Sequence, residues 1–110
     1  DDLATMLIGA ADQSGERLWR MPLYPEYADK IKSDVAEIKN SGGARSGLGA
    51  SAAFLKRFVD GGGSYAWAHI DMAGTAWGAK SIPYLDTKFA SGYGVRLLSE
   101  YIRAESEAHA

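Results

Sequence analysis

The sequence predicts an α/β fold in which helices flank about two strands, too few to make a sheet that stands alone. Three features carry this reading. Apolar residues recur at helical spacing near both ends: Leu3, Met6, Leu7, Ala10 and Ala11 at one, and Val95, Leu98 and Ile102 at the other. Two short stretches, "DVAEIKN" (34–40) and "YAWAHIDMA" (65–73), alternate as strands do. Glycine-rich breaks, "SGGARSGLGAS" (41–51) and "DGGGS" (60–64), set the elements apart.

The elements follow in order. Asp1 and Asp2 suit the N-cap of a first helix, and Gly15 suits its left-handed end. "RLWRMPLYPEY" carries two prolines and is irregular at first; Pro25 can open a short helix in which Tyr27 and Ile31 lie one turn apart. Val35 to Lys39 is the first expected strand, with Glu37 and Lys39 implying one wet or paired face. A helix is expected from about Gly49 to Val59, with Leu48, Ala52, Leu55 and Val59 as its apolar stripe. Residues 65–73 have the strongest strand signal. "GTAWGAKSIPYLDTKFASGYG" (74–94) is a long loop, a feature that often carries function. The last helix is expected to end near Ala104, leaving "ESEAHA" as a frayed tail. Three to four helices and two strands result, and such strands belong to a larger sheet completed elsewhere.

Bulk properties bound the function. At 110 residues the chain is one small domain at most, and its 46% apolar and 24% charged residues are ordinary for a globular protein. A net charge of −2 argues against a nucleic-acid partner. Without cysteine there is no disulfide framework or thiolate zinc site, which fits a reducing compartment. No apolar run approaches the roughly 20 residues of a membrane helix. An acidic opening without an initiator methionine suggests a fragment cut from something longer.

Three patterns invite chemical readings. Gly47, Gly49 and Ala52 match a dinucleotide fingerprint, with Asp71 at the distance of a ribose ligand. The preceding strand is too polar for a buried parallel strand, however, and the glycines start well after it. His69 and Asp71 would share one face of a strand and could bind a metal or exchange a proton. A catalytic zinc takes three protein ligands, and no spacing marks Asp34, Asp60, Asp86 or His109 as the third. The plainer alternative, two satisfied polar residues on a strand, has more weight. Ser46 and Ser91 lie in glycine-rich loops, but neither sits in a nucleophile elbow with a placed histidine. Trp67 suits a core, and Trp77 suits a pocket wall.

Five spaced blocks together resemble one family. "SGERLWRMPLYPEY" (14–27), "DVAEIKNSGG" (34–43), "GASAAFLKRFV" (49–59), "WAHIDMAGTAWG" (67–78) and "SGYGVRLLSEYI" (91–102) look like the C-terminal part of the leucyl aminopeptidases, the cytosol aminopeptidases with two metal ions. The resemblance spans essentially residues 1–110. It implies a segment of a three-layer α/β/α sandwich in a cytoplasmic homohexamer that releases N-terminal residues, leucine preferred, from peptide substrates. It also implies two divalent metal ions (zinc, manganese or magnesium). The family's metal ligands, catalytic lysine and catalytic arginine lie upstream of the region resembled, and the Asn-Thr-Asp-Ala-Glu-Gly-Arg motif is absent here. The segment is therefore expected to hold no metal ligand and no catalytic residue, and to be inactive without the remainder of the aminopeptidase chain.

What the resemblance carries over is pocket wall. Ser41, after Asn40, would help line the leaving side. Ala73 of Asp71-Met72-Ala73-Gly74, and Ala76 three residues on, would line the pocket for the N-terminal side chain. Small residues there leave room for a substrate leucine. Beside this reading stand a non-catalytic α/β scaffold and a nucleotide-binding segment. An incomplete sheet also implies exposed apolar surface and association.

Overall fold

The computed structural model describes residues 2–44, 46–59, 65–78, 86 and 88–110. Four helices are present: α1 (Asp2–Ser14), α2 (Glu26–Asp29), α3 (Gly47–Lys56) and α4 (Val95–Ala108). The chain divides into two compact units, one of Asp1–Arg20 with Ile70–Ala110, the other of Met21–His69.

In the first unit α1 packs on α4. Leu3, Leu7 and Ala11 recur at one-turn intervals and meet Leu97 and Tyr101 of α4, with Leu18 and Ile70 closing the cluster. Leu97 is fully buried, which is worth roughly 1.5–3 kcal/mol for a side chain of this size. Gly15 ends α1 at φ 73°, the left-handed conformation its sequence position implied.

In the second unit α2 packs on α3. Pro25 stands just before α2, at the N-cap. The α3 helix begins at Gly47, two residues earlier than expected, and covers Ala50, while Leu48 and Leu55 of the expected stripe stay half exposed. Gly49 lies flat against the Tyr27 ring: a Cβ there would come within 2.3 Å of it. The glycine thus serves helix packing.

Neither expected strand forms, and the described residues are helix, turn and irregular chain, with no sheet. Residues 34–38 bend instead. The Ser33 hydroxyl accepts hydrogen bonds from the backbone N–H of Val35 (3.3 Å) and Ala36 (3.2 Å), curling the chain, and Lys39 N–H closes the bend on the Ile31 carbonyl at 2.7 Å. Val35, which would share the face of Glu37 and Lys39 in the expected strand, is 96% exposed. Residues 66–72 are irregular and without a ladder, then turn at Met72. The one pairing among the described residues is an isolated antiparallel bridge, Trp77 to Ala90. A strand needs a neighbour for its N–H and C=O groups, and among the described residues neither stretch has one.

The C-terminal residues depart in the opposite sense. "ESEA" continues α4 to Ala108. Arg103 pairs with Glu100 and, at 2.7 Å, with Glu107, and His109 Nδ1 lies 2.8 Å from the Glu105 carbonyl. Ion pairs at helical spacing and a capping ring replace the frayed tail.

Candidate functional site

The residues around Ala73 and Ala76 form a tight, internally tied turn. Asp71 Oδ1 accepts the Ala73 N–H at 3.0 Å, as aspartates do in Asx turns. The Met72 carbonyl accepts from Thr75 N (2.9 Å), Ala76 N (2.8 Å) and Thr75 Oγ1 (3.1 Å). Ala73 is exposed and Ala76 half-buried on this turn. From the far end of the long loop, Ser91 reaches back: its hydroxyl donates to the Thr75 carbonyl at 2.6 Å and its N–H to the Ala76 carbonyl at 2.9 Å. The bridge between Trp77 and Ala90 adjoins these bonds. The interior of the loop, 79–85 and 87, lies outside the described residues.

Residues 91–94 are anchored in turn. Tyr93 N–H donates to Ser91 Oγ (3.1 Å), and Tyr93 Oη donates to the Arg17 carbonyl (2.7 Å). Glu16 is buried at 7% exposure. Its Oε2 accepts from Gly94 N–H (3.0 Å) and Leu97 N–H (2.9 Å), and Oε1 meets Arg96 Nε at 3.4 Å. A carboxylate thus caps the first turn of α4, where the helix leaves N–H groups unsatisfied and its dipole favours negative charge. Burial, and then the Glu16 charge, pushes the Tyr93 phenol above its ordinary value.

Glu16 has no motif of its own, and sequence reasoning passes over it. The signal lies at the other end of the bond: "SGYGV" starts a strongly amphipathic helix without Ser, Thr, Asp or Asn at its N-cap, which is Gly94. A helix start of that kind calls for a distant acceptor.

Ser41 belongs to the other unit. It lies with Ile31, Asn40, Ser46, Ala50 and Phe54 around a cavity of about 270 Å³. Its hydroxyl accepts from Gly43 N–H at 3.2 Å.

The competing chemical readings do not hold. Gly49, which a dinucleotide would need to approach closely, is covered by Tyr27. The Ser46 hydroxyl donates to the Gly43 carbonyl at 2.8 Å, as that of Ser91 does to Thr75, so neither is poised as a nucleophile. His69 stacks on Trp67, with centroids 6.4 Å apart and planes 21° from parallel, and Asp71 is tied into its turn. Asp86 accepts from Lys88 N–H, and Asp60 lies outside the described residues. Among the described residues no three His, Asp or Glu side chains converge on a metal-sized site. These residues therefore do not fit a metal centre by themselves.

The model of the cytosol aminopeptidase family, catalytic domain, matches residues 1–99. The chain belongs to the cytosol aminopeptidase family. A probable cytosol aminopeptidase of Geobacter sulfurreducens is 51% identical over 102 residues, which cover 93% of this chain and 20% of the relative. One from Brucella anthropi is 49% identical over 108 residues, 98% of this chain and 21% of the relative. Among solved structures, a mutant of tomato leucine aminopeptidase superimposes with a TM-score of 0.76 at 42% identity, over 93% of this chain and 19% of that one. The chain thus spans about a fifth of the length of these cytosol aminopeptidases. No helix among the described residues is long and apolar enough to cross a membrane.

Proposed function

We propose that residues 1–110 are the C-terminal segment of the catalytic domain of a cytoplasmic leucyl aminopeptidase, a hydrolase that releases N-terminal residues, leucine preferred, from peptides. The observation that carries this reading is the family match over residues 1–99 together with a coverage of only a fifth of each relative. In the whole enzyme, a homohexamer, the segment supplies part of a three-layer α/β/α sandwich. Residues 34–40 and 65–73 take up strand geometry there, where neighbouring strands complete the ladder their alternation is patterned for.

The segment's own contribution is shape. Ala73 and Ala76, held on one turn, form the wall of the pocket for the substrate's N-terminal side chain; their small size leaves volume for leucine. Ser41 borders the leaving side. The two divalent metals of this hydrolysis take their ligands from the upstream four-fifths of the enzyme, as do the catalytic lysine and arginine.

The test has two arms. The isolated chain is expected to give no turnover of leucine p-nitroanilide with manganese or zinc. Substituted for the matching fifth of the Geobacter sulfurreducens relative, it is expected to support that turnover. Activity of the isolated chain would remove the division of labour, and an inert chimera would remove the aminopeptidase reading.

A further inference from the structure

Ser91 is a serine in a glycine-rich loop, and no catalytic role absorbs it. Its geometry is that of a latch. The hydroxyl binds the Thr75 carbonyl at 2.6 Å and the N–H binds the Ala76 carbonyl at 2.9 Å. These two carbonyls belong to the peptide planes on either side of the Ala76 Cα. Pinning both planes fixes φ and ψ of Ala76, and with them the direction of its Cβ. The turn's own hydrogen bonds reach only the N-terminal side, through Thr75 N–H and Ala76 N–H to the Met72 carbonyl. Ser91 is itself oriented: its Oγ accepts from Tyr93 N–H at 3.1 Å, and the adjoining Gly94 N–H is bound to buried Glu16. The turn is thereby tied to the capped start of α4.

We propose that Ser91 is a positioning residue for side-chain specificity: by holding the backbone at Ala76 it sets the width of the pocket that receives the N-terminal side chain of the peptide. The inference rests on the pocket reading above. Without the hydroxyl, the Thr75–Ala76 plane keeps only the Ala76 N–H bond to the Met72 carbonyl, so it is held at one edge instead of two and the wall yields to larger side chains.

The experiment uses the chimeric aminopeptidase with leucine, methionine and phenylalanine p-nitroanilides. Ser91→Ala is expected to change the ratio of kcat/KM for leucine over phenylalanine by about 2- to 10-fold, the factor carried by one net hydrogen bond. The change should fall mainly in KM, and Ser91→Thr, which keeps a hydroxyl, should restore the ratio. A uniform fall across the three substrates, or an unchanged ratio, would overturn the latch while leaving the aminopeptidase reading intact. If Ser91→Ala fails to assemble, Ser91→Cys keeps the volume with a weaker donor, and its ratio decides in the same way. A parent chimera inert on all three substrates overturns the pocket reading, and the latch with it.

Discussion

At the scale of single residues, the side chain that does most in the first unit is Glu16. It satisfies two N–H groups of α4 and meets Arg96, from a position about 80 residues earlier in the chain. Glu16→Ala leaves those donors without a carboxylate and is expected to cost about 2–4 kcal/mol in urea denaturation. Glu16→Gln should cost less, since one oxygen remains for the backbone donors while an amide N–H faces Arg96. Tyr93, next to this cluster, sets an alkaline limit. Its phenol titrates above the ordinary value because burial and Glu16 disfavour the phenolate. The folded state therefore holds the proton more tightly than the unfolded chain. That contribution is fully present below about pH 10, the ordinary tyrosine range, and is lost as pH rises through the higher folded value. Unfolding curves measured from pH 8 to 11 should fall off less steeply for Tyr93→Phe. Neither residue stands out in the sequence, because what each does depends on a partner some eighty positions away.

At the scale of elements, local and non-local signals separate cleanly. The α1 helix was legible from its apolar spacing and from Gly15, since both act within a few residues. The start of α4 was legible for the same reason. Its end was not, because "ESEAHA" offers no apolar spacing, and the turns there are held by Arg103 with Glu100 and Glu107. Arg103→Ala should unwind those last turns, seen as loss of helical NMR shifts beyond Ala104. The wild-type difference should shrink in molar salt, which screens exposed pairs. The two strands were expected from alternation, but alternation describes which faces a strand would present and supplies no partner to pair with. Where the partner is missing, Ser33 turns the backbone of 34–38 with local hydrogen bonds instead. Gly49, which in sequence matches part of a dinucleotide fingerprint, proves to be room for Tyr27.

At the scale of the whole molecule, large apolar side chains stand exposed among the described residues. Trp19 is 88% exposed, and Met21, Tyr24, Phe58, Val95 and Ile102 are exposed beside it in composition if not in place. Under the proposed function, the remaining four-fifths of the enzyme would cover such side chains. The inactivity expected of the isolated chain, and the activity expected of the chimera, belong to this scale. Among the described residues no three His, Asp or Glu side chains converge on a metal-sized site.

The sequence by itself determined the family, through five blocks in fixed order, and the helices whose signals are local. It also placed Ala73 and Ala76 on one short segment, where a pocket wall could be read by resemblance. Tertiary structure alone decided that Glu16 caps α4, that Gly49 makes way for Tyr27, and that Ser91 clasps the turn bearing Ala76. The physical reason is the same in each case. A hydrogen bond or a packing contact is set by distance in space, and a single sequence fixes that distance only for residues a few positions apart.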